Sequence, residues 1–222
     1  MDAIIRLSGS GERGITIMPA TVVRWGGLAA VLAGVFALIT ELLDLYLYAT
    51  TSEDSFSEVA TSGTFAVQGV SLSILAMLLL VALVGLYASQ AEAVGVLGSV
   101  GFLVALIGTA LFAGTTWDNV FLFPALAQAA PAFMESDPSF LEKVGSVLSL
   151  GLLVIGWLVF AVSTLRARIY PRAAAMLLLI GVVVGAIPLP LTTIVFGVAL
   201  AWMGVFLLTR IGAAAGQSSR VH

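Results

Sequence analysis

The chain contains no cysteine and a single histidine, His222, its last residue. Without thiols there are no disulfides, no thiolate zinc sites and no iron–sulfur ligands. Without an interior histidine, a histidine-held haem, a histidine metal site and an imidazole proton relay are excluded as well. Charge is the next scarcity. Asp, Glu, Lys and Arg supply 9% of 222 residues, against about 25% in soluble domains. That is too little to coat one soluble core. No basic stripe marks a nucleic-acid partner, and no residue set suggests a cofactor.

What is abundant is apolar sequence. The hydrophobic fraction is 60% and the mean hydropathy +1.14, so the apolar side chains are expected to face a lipid bilayer. The expected fold is an all-α membrane protein, a bundle of about six transmembrane helices. Hydropathy places the spans at about 24–48, 65–87, 94–116, 145–165, 172–187 and 192–209, with tails at 1–23 and 210–222. The first tail carries Ser8-Gly9-Ser10-Gly11 and Glu12 and lacks the continuous apolar core of a signal peptide. The longest connection, 117–144, is expected outside the membrane. Its stretch from Phe121 to Ala127 reads as a surface helical or re-entrant segment broken at Pro124 and Pro131, positioned to lid the space above Glu41. Pro188-Leu189-Pro190-Leu191 reads as a hairpin just beneath the surface, with Thr192 capping the last helix and a re-entrant loop as the rival reading.

Charge position predicts orientation. With about six spans, Arg6, Arg13, Arg24, Arg166, Arg168, Arg172, Arg210 and Arg220 fall on one side and Lys143 alone on the other. The positive-inside rule then puts both termini in the cytoplasm and Glu53, Asp54, Glu58, Glu135, Asp137 and Glu142 outside.

Gly95-x-x-Gly98-x-x-Gly101 loosely resembles a phosphate loop, but it opens a membrane helix rather than following a strand, so it reads as helix packing. The small residues Gly26, Ala30 and Gly34, then Gly181 and Gly185, then Gly197 and Ala201, recur every fourth position and suit close backbone approach. Such faces also leave room for a membrane-protein partner or a homo-oligomer.

One polar group of residues stands out. Glu41 and Asp44 are the acids within or beside a span core, at i and i+3 on one face that Gly34, Ala37 and Tyr48 continue. An acid facing lipid is costly, so this face is expected to point into the bundle. Gln68 lies at similar height on the next helix, and Thr115, Thr116, Asp118 and Asn119 end the third. Glu41, Asp44, Gln68, Thr115, Asp118 and Asn119 form the candidate outer polar pocket, suited to a cation, a proton or a polar head group. The alternative is ordinary interfacial polarity, with Glu41 hydrogen-bonded to a neighbouring helix.

The run from Val84 to Glu92, the run from Gly98 to Leu111, Trp117 with Phe121 to Leu126, the opening Arg24-Trp25-Gly26-Gly27-Leu28-Ala29 and Pro188-Leu189-Pro190 resemble a group of small, uncharacterised bacterial polytopic membrane proteins. The resemblance implies a bacterial plasma-membrane protein of about six spans and supplies no activity. The leading expectation is a non-catalytic accessory or interaction subunit of a membrane assembly. The alternative is a small transporter or channel-like protein using the pocket around Glu41. An enzyme ranks last, because the arginines gather on one side and the acids, without histidine, on the other.

Overall fold

The computed structural model describes residues 20–51, 55–187 and 191–218. Every regular element among them is a helix: α1 (Ala20–Thr51), α2 (Phe56–Thr61), α3 (Gly63–Ala88), α4 (Ala91–Ala129), α5 (Pro131–Met134), α6 (Phe140–Ala167), α7 (Arg172–Gly185) and α8 (Thr193–Ser218). Five of them, α1, α3, α4, α6 and α8, are long and apolar enough to cross a membrane. The protein is therefore an all-α, multi-pass membrane bundle. The sixth apolar helix, α7, has 14 residues and rises about 21 Å, short of the ~30 Å hydrocarbon core.

The six apolar helices form a closed ring. Each packs on its neighbour in sequence, α1 on α3, α3 on α4, α4 on α6, α6 on α7 and α7 on α8, and α8 returns to α1. Lipid tails are as apolar as leucine, so burial alone does not drive helices together, and close packing must do so. Glycine supplies it. A Cβ on Gly26 would sit 2.3 Å from the Gly85 Cα, joining α1 to α3. Gly34 faces Gly197 and Ala201, and Gly27 faces Gly204, joining α1 to α8. Gly101 lies against Val159 and Phe160, Gly108 against Leu152 and Leu153, and Gly156 against Val104 and Ala105, joining α4 to α6. Gly181 lies on Phe196. The pairs at α1–α8 and α4–α6 run in opposite order along their helices, so these neighbours are antiparallel. The ring has an arginine end, with Arg24, Arg166, Arg168, Arg172 and Arg210, and an acid end, with Glu41, Asp44, Asp118, Glu135, Asp137, Glu142 and Lys143. Glu92 joins the arginine end.

Several expected boundaries are corrected. The stretch expected as an outer loop from 117 is helical to Ala129, and α4 runs straight through Pro124. The reason is a second small core. Phe123 and Ala127, one helical turn apart, pack with Leu47, Val59, Ala60 and Phe65 of α1, α2 and α3, and this apolar contact outweighs the hydrogen bond that Pro124 cannot donate. The helix stops at Ala130 (φ −148°, ψ 62°), where Pro131 pushes its predecessor out of the α region and no packed face remains to resist. The start of α4 is also bent. Gly95 sits at φ +59° between the turn at 91–94 and the main helix, a conformation open to glycine at no steric cost. Helix α6 begins at Phe140, five residues before the expected 145, because Ser139 accepts the Glu142 N–H and caps it. Helix α8 continues to Ser218, so the segment expected as a tail from 210 is largely helical. Arg6, Arg13, Glu53, Asp54, Arg220, His222 and the proline hairpin at 188–190 lie outside the described residues.

Candidate functional site: a cavity inside the ring

The ring is not filled at its acid end. A cavity of about 390 Å³ lies there, lined by all six apolar helices. Its walls are Leu72, Leu75 and Leu79 of α3, Phe112 of α4, Leu150, Leu153, Val154 and Trp157 of α6, Val182 of α7 and Phe196 of α8. Polar groups are confined to one rim: Thr40, Glu41 and Asp44 of α1, Gln68 of α3 and Thr193 of α8. Length explains the void. Helices α6 and α7 leave a common turn at 168–171, but α7 has 14 residues and α6 has 28. Helix α6 thus outreaches α7 by about 21 Å. Above the end of α7 no helix among the described residues fills the space that α6, α1 and α3 border.

Glu41 is buried, 8% exposed, and its partner is the segment that enters α8. One carboxylate oxygen accepts the Leu191 N–H at 2.6 Å, and the other accepts the Thr193 N–H at 3.1 Å and the Thr193 hydroxyl. Thr193 opens α8, so Glu41 caps that helix from another one, where free N–H groups and the positive end of the helix dipole favour a carboxylate. The cap also holds Leu191 at φ +68°, a backbone region that L side chains rarely adopt. Asp44 accepts from Gln68 Nε2 at 3.2 Å. Its other oxygen takes no donor among the described residues. Thr40 and the buried Ser71 share a hydrogen bond of 3.0 Å below this rim.

Of the six residues expected in the pocket, the structure brings together Glu41, Asp44 and Gln68. Thr115, Asp118 and Asn119 do not line the cavity. Thr115 is exposed and its hydroxyl returns to the Phe112 carbonyl, a common bond for a threonine inside a helix. Asn119 packs its Cβ on Gly69. Ala37 is buried on the acid-bearing face, but Tyr48, which continues that face in sequence, is 70% exposed. The segment 121–127 closes the small core beside α2 and is not a lid, since none of it borders the cavity. Trp157 and Thr193 were not picked out by sequence. Trp157 is a lone polar-capable residue in an apolar run, and Thr193 follows Thr192, the residue expected as the cap.

The arginine end contrasts with this. Gln90, 2% exposed, donates to Thr164 Oγ1 at 2.8 Å across α6, leaving its own Oε1 without a partner among the described residues. Ser89 and Tyr170 share a hydrogen bond of 2.6 Å. Burial pushes the Tyr170 phenol above its usual value, opposed by the Ser89 hydrogen bond and by Arg210, so it stays protonated. Between the two ends, Trp157 Nε1 donates to Thr109 Oγ1 at 3.0 Å. A second groove is lined by Thr21, Arg24, Trp25 and Leu28 of α1 and Leu208 and Ile211 of α8.

Fold and site together define a class: a multi-pass helical membrane protein with an internal, largely apolar cavity and an acidic rim. Among the described residues no group of histidine, cysteine or acidic side chains is arranged to hold a metal ion. The chain matches no protein-family model, no curated protein and no solved structure.

Proposed function

We propose that the protein is a non-catalytic membrane protein that receives a small, mainly apolar molecule in the ring cavity, as a transporter or a membrane-embedded binding protein does. The observation that carries this is the cavity itself. Its volume of about 390 Å³ lies within the roughly 300–1,000 Å³ of small-molecule sites, and its lining of apolar walls with a few convergent polar groups is typical of them. Filling the cavity tests the reading. Leu153→Trp should remove saturable uptake of a small apolar probe such as decanol into protein-loaded nanodiscs, after subtraction of empty nanodiscs. Equal saturable uptake by wild type and variant overturns it.

The reading includes a topology. All six apolar helices cross the bilayer, the short α7 included, and the arginine end with both termini faces the cytoplasm of a bacterial plasma membrane. The segregation of Arg24, Arg166, Arg168, Arg172 and Arg210 from Lys143 supports this. Cysteines introduced by Ser55→Cys and Ser136→Cys should react with an impermeant thiol reagent in intact cells, and one from Ala167→Cys should not. The reverse pattern inverts the orientation.

A second reading, an accessory subunit of a membrane assembly or a homo-oligomer, is favoured by the first half of α6. Phe140, Leu141 and Val147 are 78%, 79% and 72% exposed, and no helix of the ring covers them. Cross-linking through Val147→Cys in native membranes would capture such a partner, and a monomer band alone assigns this face to lipid.

A further inference from the structure

The geometry points to a ligand class for the cavity: an amphiphile with a cationic head at Asp44 and an apolar tail among Leu75, Leu153 and Trp157. This rests on the cavity being a binding site, and it adds the charge and orientation of what binds.

Among the described residues the lining holds two carboxylates and no lysine, arginine or histidine. The described arginines stand at the opposite end of the ring, and Lys143 is exposed on the first turn of α6. The two carboxylates are not equivalent. Glu41 spends both oxygens on Leu191 and Thr193, so its charge is already met by a helix N-terminus. Asp44 has one oxygen on Gln68 and the other without a donor among the described residues, at the more exposed side of the rim. A carboxylate at the edge of a low-dielectric cavity attracts a cation more strongly than it would in water. An anionic head would meet two like charges there. A neutral apolar molecule would fill the walls but leave Asp44 unmet.

The apolar part has its own direction. From Asp44 inward the walls are leucines, Val182 and the edge-on pair Trp157–Phe196, with ring centroids 5.0 Å apart. Leu150 lines the cavity and is 55% exposed, so the cavity opens sideways beside the uncovered half of α6. A chain-bearing molecule can pass there from the bilayer while its head stays at the rim. Charge at the interface and tail in the core is also how such a molecule lies in the membrane.

Binding of three probes of equal chain length to the full chain in phosphatidylcholine nanodiscs, with empty nanodiscs subtracted, tests this. The probes are decyltrimethylammonium, decanol and decyl sulfate. Decyltrimethylammonium should bind at least about tenfold tighter than decanol, and decyl sulfate should not saturate. Asp44→Asn should bring the cation down to the affinity of decanol without changing decanol itself. Asp44→Glu should restore most of the preference, which separates loss of charge from loss of fold. Leu153→Trp should abolish binding of both. Equal affinity for the cation and decanol in wild type, or a preference that survives Asp44→Asn, overturns the cationic assignment and leaves the cavity standing. No saturable binding of any probe removes the cavity reading as well.

Discussion

The two ends of the ring are built from the same helices and solve opposite problems. At the arginine end, polar side chains pair off across helices: Gln90 with Thr164, and Ser89 with Tyr170. Leu83, Leu86, Phe160 and Met203, all fully buried, fill the space behind them. At the acid end α7 stops, and the polar groups line a void. The arginine end is held by continuous contact, and the acid end by the small core around Leu47, Phe65 and Ala127 with a few specific bonds at the cavity rim. In lipid, where apolar contact is not favoured over apolar solvent, a bundle closes only where backbones touch. Glycine sets where that is, and the glycine contacts of α4 with α6 end at Gly108.

The largest expected effect comes from breaking the closed half. Gly108→Leu would drive a side chain into the backbone at Leu152 and Leu153, where even a Cβ would stand 2.3 Å from the Leu153 nitrogen. Overpacking costs about 1–3 kcal/mol where side chains can yield, and more against backbone. We expect little folded protein by size-exclusion chromatography in detergent. A wild-type elution profile and melting temperature would mean that α4 and α6 are free to part.

Next comes Glu41→Ala, which leaves the Leu191 and Thr193 N–H groups at the head of α8 without an acceptor. Buried donors left unpaired cost about 1–3 kcal/mol. Hydrogen exchange should quicken at residues 191–195 while Gln90 and Thr164 keep their protection. Glu41→Gln retains one acceptor oxygen and should fall between. Uniform loss of protection at both ends would show that the ends are not separable.

At the arginine end, Thr164→Val strands the Gln90 amide and should lower stability by about 1–2 kcal/mol. Adding Gln90→Met removes the stranded group, and with it the Oε1 that has no partner among the described residues. The double variant is expected to be more stable than Thr164→Val alone, because replacing both partners by apolar groups is nearly neutral. If thermal melts rank the double variant lower, the pair is embedded in a wider polar network. The smallest effect belongs to Gly114→Ala. A Cβ there meets nothing within 4 Å, so the change should be neutral or stabilise by up to about 1 kcal/mol through helix propensity. A marked loss would reveal contacts beyond Gly108 and blur the contrast between the halves.

Much of the fold was legible in the sequence. Apolar runs identify the helices, and arginine positions separate the two ends, because both follow from transfer free energies that each residue carries wherever it sits. The inward face of α1 was legible for the same reason: an acid such as Glu41 is too costly in lipid to be left outside. Boundaries were less so. Phe123 and Ala127 extend α4 through Pro124 for the sake of Leu47, Ala60 and Phe65, residues more than fifty positions away that no local rule connects.

The candidate site divides along the same line. Sequence determined that Glu41 and Asp44 share a face and that Gln68 lies at similar height, since helical pitch and antiparallel order are enough for that. Tertiary structure decided the rest. Glu41 meets its donors 150 and 152 residues away, through the closure of α8 on α1. Gly34 faces Gly197 and Gly26 faces Gly85, although stripes of small residues on several helices are chemically alike and would pack with one another in many combinations. The cavity exists because α7 is shorter than α6 and the ring still closes. An empty volume is a property of the arrangement of all six helices, and no residue carries it alone.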